Sequence, residues 1–184
     1  MIELGILGPV LIVLFMIFTE YSIFFLTEQK VETLSREAAQ DAFADCRLIT
    51  DPATRLACLN QVATNTEGIL THLMATAGYP NIAIGDYKII LTMWQVVNEA
   101  IVQGTPVVIG TLAGNSKYKA SDFGPDPLGN GGNTNFIIET GGLFTCEIFY
   151  KQQASGNVPR SINFFGFNLS LPLLNNTIYT SGVA

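Results

Sequence analysis

The chain has 184 residues, 15 acidic and 9 basic side chains, a net charge of −6 and a sequence pI near 4.6, which excludes the basic face that a nucleic-acid partner requires. Charged residues make up only 13% of the sequence and the mean hydropathy is +0.35. That balance excludes a disordered tail and leaves room for one apolar segment plus one globular domain of about 100–140 residues.

The apolar segment comes first. From Leu4 to Leu26 the sequence contains one acid, Glu20, and no Lys or Arg precedes Lys30. At about 1.5 Å per residue this run spans about 35 Å, enough to cross the hydrocarbon core of a bilayer. It continues without Gly or Pro into Thr27–Cys46, where Leu26, Val31, Leu34, Ala38 and Ala42 recur at helical steps. We expect one helix of about 65 Å, apolar all round in front and amphipathic behind. Gly5, Gly8 and Pro9 loosen its start, and the glycines admit a second helix at close range. Glu3 and Glu20 are costly in lipid, so a helix with two acids and no base belongs among other helices. A secretory signal would need a basic n-region, which is absent before Lys30. Met1 is then either the initiator of a signal anchor or a processed N-terminus; the position of Lys30 and Arg36 favours the second.

This arrangement resembles the N-terminus of type IV pilin-like proteins, most closely the TadE-like pilins of tight-adherence (Tad) pili. The residues that carry the resemblance are Glu3, Pro9, the pair Glu20-Tyr21 and the segment Leu34-Ser35-Arg36-Glu37-Ala38-Ala39. The acid stands at position 3, where pilins generally carry it at the fifth mature residue. CEIFYK and the closing FFGFNLSLPLLNNTIYTSGVA are loosely similar to that family's last strands. The resemblance implies an inner-membrane precursor cut by prepilin peptidase and passed to a pilus assembly machinery. It further implies a homo-oligomeric helical filament on the cell surface, packed through Met1, Glu3, Gly5, Gly8, Pro9 and Glu20, with Glu3 pairing a neighbouring Met1 amine.

After the helix, Cys46 and Cys58 flank the turn RLITDPATRLA. A bridge between them would contribute about 3 kcal/mol through loop closure; the alternative is that these two and Cys146 are buried thiols. Asp51-Pro52 reads as a helix start and Gly78 as its end, with Leu56, Leu59, Val62, Ile69, Leu70 and Leu73 as an apolar stripe. The short turn before it should fold this helix back antiparallel on the first. His72, the lone histidine, has no ligand-type residue at helical spacing and reads as a surface residue.

The texture then becomes β. Strands are expected at Tyr87–Val97, Thr105–Leu112, Phe136–Glu139, Leu143–Lys151, Phe164–Leu171 and Asn176–Val183. A short turn is expected at Glu99–Gly104, and a hairpin through Thr140-Gly141-Gly142 joins Phe136–Glu139 to Leu143–Lys151. Gly114–Asn133, rich in Gly, Asp and Asn, reads as one long solvated loop, with Asp122, Asp126 and Asn130 as candidates for outward contact. Their spacing does not match a calcium loop, and no metal or cofactor is expected. Asn168 and Asn175 head glycosylation sequons.

These expectations amount to an α+β chain, with a hydrophobic and amphipathic helix at 1–46 and a globular head at 47–184. No nucleophile elbow, P-loop, HExxH or dinucleotide fingerprint occurs, so no enzyme is expected. A pilus-like filament subunit is the leading reading, beside a single-pass anchored binding domain and a secretion-system pseudopilin.

Overall fold

The structure is a computed structural model that describes residues 2–78, 82–98, 100–123, 137, 141–151, 161–164, 167–170 and 177–184. For residues 2–7, 9, 20, 161–164 and 167–170 only the backbone is described.

Helix α1, Ile2–Cys46, runs unbroken through Gly5, Gly8 and Pro9. Helix α2, Pro52–Thr76, opens on Asp51, whose carboxylate accepts from Thr54 N at 2.8 Å and Thr54 Oγ1 at 2.5 Å. The Thr54 hydroxyl and amide hold the Asp51 carboxyl below its usual range. The helix closes after Ala77, where Gly78 takes a φ of +94°, a left-handed value that favours glycine. A disulfide joins Cys46 to Cys58 with Cα atoms 5.8 Å apart and so staples the two helices beside their connecting turn. Cys146 is free and buried.

The buried stripe of α2 is Leu59, Val62, Ala63, Thr66, Leu70 and Met74. This corrects the expected stripe: Ile69 is 50% exposed and Leu73 only half-buried. The small residues decide the rotation. Ala63 and Thr66 let α2 lie close to a face of α1 that is itself small, at Ala38, Ala39 and Ala42.

The helices cover one face of a five-stranded antiparallel sheet. Its members are β1 (Tyr87–Val97), β2 (Ala100–Gln103), β3 (Val107–Ile109), β4 (Leu143–Lys151) and β7 (Thr177–Val183), in the order β2-β1-β4-β7 with β3 also on β1. Alternation sets the two faces. Tyr87, Ile89, Leu91 and Met93 of β1 and Phe144, Cys146, Ile148 and Tyr150 of β4 join the helices in the core, together with Val31, Leu34 and Ala38 of α1. The rear of α1 therefore lies in the same core as the sheet. At Gly182 the strand β7 meets the α1 backbone directly, since a Cβ there would lie 2.4 Å from Arg36 Cα.

Three expectations about the sheet are corrected. Ala100–Gln103 is a strand, not a turn: Val97 pairs with Ala100, and Asn98, with φ +52°, supplies the left-handed turn residue between them. The expected strand Thr105–Leu112 shrinks to Val107–Ile109. Trp94 pairs with Gln103 but Leu91 with Val107, so Gly104, Thr105 and Pro106 face only Thr92 and Met93, a bulge at a residue without an N–H. The hairpin partner proposed for β4 is also wrong, because β1 and β7 occupy both edges of β4. Ile137 is buried beside Trp94, Phe123 and Leu143, while Phe136, Ile138 and Glu139 lie outside the described residues.

The expected strand Phe164–Leu171 is instead a hairpin of β5 (Ser161–Phe164) and β6 (Phe167–Ser170), with Asn168 paired to Asn163 in register. Asn175 lies outside the described residues.

The sheet's second face carries a smaller cluster of Trp94, Phe123, Ile137 and Leu143, covered by residues 114–123. That segment is therefore not simply a solvated loop. Glu147, fully buried on β4, accepts from Lys117 N at 2.8 Å, from Tyr179 Oη at 3.0 Å and from Ser116 Oγ. Trp94 Nε1 donates to Thr145 Oγ1 at 3.0 Å, and Lys88 Nζ donates to the Gly114 carbonyl at 2.5 Å.

Candidate functional site

The two halves of α1 differ in what covers them. Between Thr27 and Cys46 the inward residues are buried, Val31 and Ala42 completely. In front of Thr27 the helix extends past the head with its side chains uncovered: Phe15 is 70% exposed, Phe18 68% and Ile12 63%. A water-exposed surface of this kind is far larger than scattered surface apolar residues and marks a lipid or protein contact. From Val10 onward the helix is long and apolar enough to cross a membrane.

The polar residues in this half are adapted to such a setting. Thr19 Oγ1 donates to the carbonyls of Phe15 and Met16, both at 2.8 Å, and Ser22 Oγ donates to the Phe18 carbonyl at 2.8 Å. Their hydroxyls are satisfied on their own helix, so burying them in hydrocarbon leaves no donor unpaired. Thr27 makes the same bond to Ile23 at 2.8 Å at the point where burial begins.

The predicted assembly residues divide as follows. Glu3, Gly5, Gly8, Pro9 and Glu20 all lie on α1, while Met1 is outside the described residues. A Cβ added at Gly8 would meet nothing within 4 Å, so the space beside it is open. Asp122 is exposed and its carboxylate accepts from Lys119 N at 2.8 Å, closing the 3-10 turn Ala120–Phe123. Asp126 and Asn130 lie outside the described residues. His72 is exposed on α2.

One feature was not visible in the sequence. Where α1 emerges from the head, Leu26, Lys30, Leu34, Ile69 and Leu73 line an open groove of about 530 Å³ between the helices. It continues directly from the uncovered half of α1. The signal would have been Ile69 left outside the α2 stripe, which requires the helix rotation to be known.

Comparison with known proteins bears on this same segment. Residues 1–40 match the model of the TadE family, described as TadE-like protein. The match points to a Tad pilus-related protein and covers the uncovered half of α1 together with the first turns of its buried half. No curated protein and no solved structure matches the chain. The TadE-like segment thus comprises most of one continuous helix, and the head behind it is described by its structure alone.

Proposed function

We propose that this TadE-like chain is a structural subunit of a Tad-type, type IV pilus-like filament, held in the inner membrane before assembly and exposed outside the cell afterwards. The observation that carries the reading is the uncovered front of α1, built as a rigid continuation of a helix locked into the head. Ten large apolar side chains between Val10 and Leu26 are 39–70% exposed. At about 1 kcal/mol each for covering the exposed part, burying them is worth on the order of 10 kcal/mol against water.

Lipid and a bundle of like helices satisfy that demand almost equally, because lipid tails are as apolar as the side chains. What distinguishes the two settings is close packing and polar pairing. Gly5 and Gly8 permit close helix approach, and Glu3 pairs with the N-terminal amine of a neighbouring Met1, setting the axial position of each subunit. Prepilin peptidase and the pilus assembly machinery act on the chain before it polymerises, and the chain works as a building block with no catalytic step of its own.

The test is electron microscopy of sheared, detergent-resistant surface material, with mass spectrometry of its main band. Fibres composed of this chain support the proposal. Dispersed monomers on detergent extraction, with no fibre, would replace it with a single-pass anchor. Glu3→Ala should keep membrane insertion and reduce fibre yield; an unchanged yield would remove Glu3 from the assembly contact.

A further inference from the structure

We infer that the groove between α1 and α2 is the seat for the front half of α1 from a second copy of this chain, with Lys30 of one copy meeting Glu20 of the next. The inference rests on the filament reading above and adds to it a defined contact and stagger.

Three observations converge. The first is charge. Lys30 and Arg36 are the only bases in α1, and Arg36 is engaged by Glu32 at 2.5 Å. Among the described residues Lys30 has no ion-pair partner, and it lines the groove where apolar Leu26, Leu34, Ile69 and Leu73 meet the polar Gln29, Thr33 and Glu37. Glu37 lies seven positions further along the same groove, beyond one helical turn from Lys30. Glu20 is the one acid within the apolar run, and an acid there calls for a cation.

The second is length. The groove follows α1 from Leu26 to Glu37, about 17 Å of helix. Parallel helices offset by the ten positions between Glu20 and Lys30 are shifted by about 15 Å, which sets Met16–Thr27 of one copy along that groove.

The third is texture at that offset. The polar interruption around Glu20 then lies level with Gln29-Lys30, and Met16 and Ile23, which share the face of Glu20 at i−4 and i+3, lie level with Leu26 and Thr33 of the groove. Met16, 39% exposed and four positions before Glu20 on the same helix face, gains a pocket wall on Leu73, a half-buried α2 residue at the edge of the core.

Two measurements test this in cells that assemble the native chain into fibres. In the first, Met16→Cys with Leu73→Cys should give a ladder of disulfide-linked oligomers in sheared fibres, whereas Leu11→Cys with Leu73→Cys, about 7–8 Å out of register and on the opposite face of the helix from Glu20, should not. In the second, Glu20→Gln and Lys30→Gln should each cut fibre yield about tenfold or more, since one buried charge is left without its partner, while the double variant recovers to within about threefold of the native chain. Carbonate extraction of every variant checks that insertion is intact. Fibres without the first ladder, equal ladders from both pairs, or a double variant no better than the worse single one would overturn the groove contact and leave the filament reading standing. Absence of fibres from the native chain would remove both.

Discussion

Replacing Gly182 by alanine tests how tightly the sheet is seated on α1. The added Cβ would lie 2.4 Å from Arg36 Cα, 2.4 Å from the Ser35 carbonyl oxygen and 2.5 Å from Arg36 N. Ordinary contact between such atoms is about 3.5–4.0 Å, so strand and helix must part by roughly 1 Å. All three neighbours are backbone, and none can rotate away. A gap of that size forfeits about a quarter to a half of the dispersion energy of each contact along the seam. Ser35, Ala38, Ala39 and Ala42 are all buried on that side of the helix, so the loss is shared by several residues. Overpacking typically costs about 1–3 kcal/mol, and this site belongs at the top of that range. A loss of about 3 kcal/mol lowers the melting temperature of a domain this size by roughly 6–12 °C. The assay is circular-dichroism melting of the full chain in detergent with the disulfide intact. Gly8→Ala, where a Cβ meets nothing within 4 Å, is the control and should not lower the melting temperature. A shift below about 2 °C for Gly182→Ala would refute direct strand-on-helix contact.

Four further outcomes follow from the same structure. Reducing the Cys46–Cys58 bridge, which closes a separation of 12 residues, should cost about 3 kcal/mol in a denaturant titration, while Cys146, whose thiol burial pushes up to about 12, should resist a maleimide until the chain unfolds. Gly68→Ala, at an exposed position inside α2 with open space around it, should stabilise the chain by about 0.5–1 kcal/mol in the same titration. Glu147→Ala strips the buried acceptor from Ser116, Lys117 and Tyr179, so limited proteolysis should open residues 114–123 well before the rest of the head, at a cost of about 2–4 kcal/mol. Tyr87 and Tyr179 are both raised to about 12, chiefly by burial and further by the bonds they donate to Glu67 and Glu147. Their contribution to stability is present in full below the unfolded value of 10.0 and is lost as pH rises through about 12. Ultraviolet titration should therefore show two tyrosines ionising late, together with unfolding.

The parts of this molecule that announce themselves in sequence are those whose pattern is local. The apolar run and the spaced Leu and Ala residues behind it define α1, and Asp51-Pro52 starts α2, because helical period and capping need no distant partner. Tyr87–Val97 and Leu143–Lys151 are equally legible as long apolar strands. Short elements fail because their structure depends on who pairs with them. Ala100–Gln103 is strand only because the far half of β1 offers it a ladder, and the Phe136–Glu139 proposal failed because β7, distant in sequence, had already taken that edge of β4. The candidate assembly surface divides in the same way. The uncovered front of α1 can be read from composition, but the groove beside Lys30 depends on small residues at Ala63 and Thr66 turning Ile69 outward.

The bulge at Gly104–Pro106 has a consequence for crowding. Among the described residues no strand pairs with the outer margin formed by β2 and β3, yet that margin is bent by an extra residue and interrupted where proline cannot donate. A straight margin would invite another molecule to zip on, backbone to backbone, wherever many heads stand close together. This one offers no uninterrupted template, so the β2–β3 side of one head resists zipping onto another.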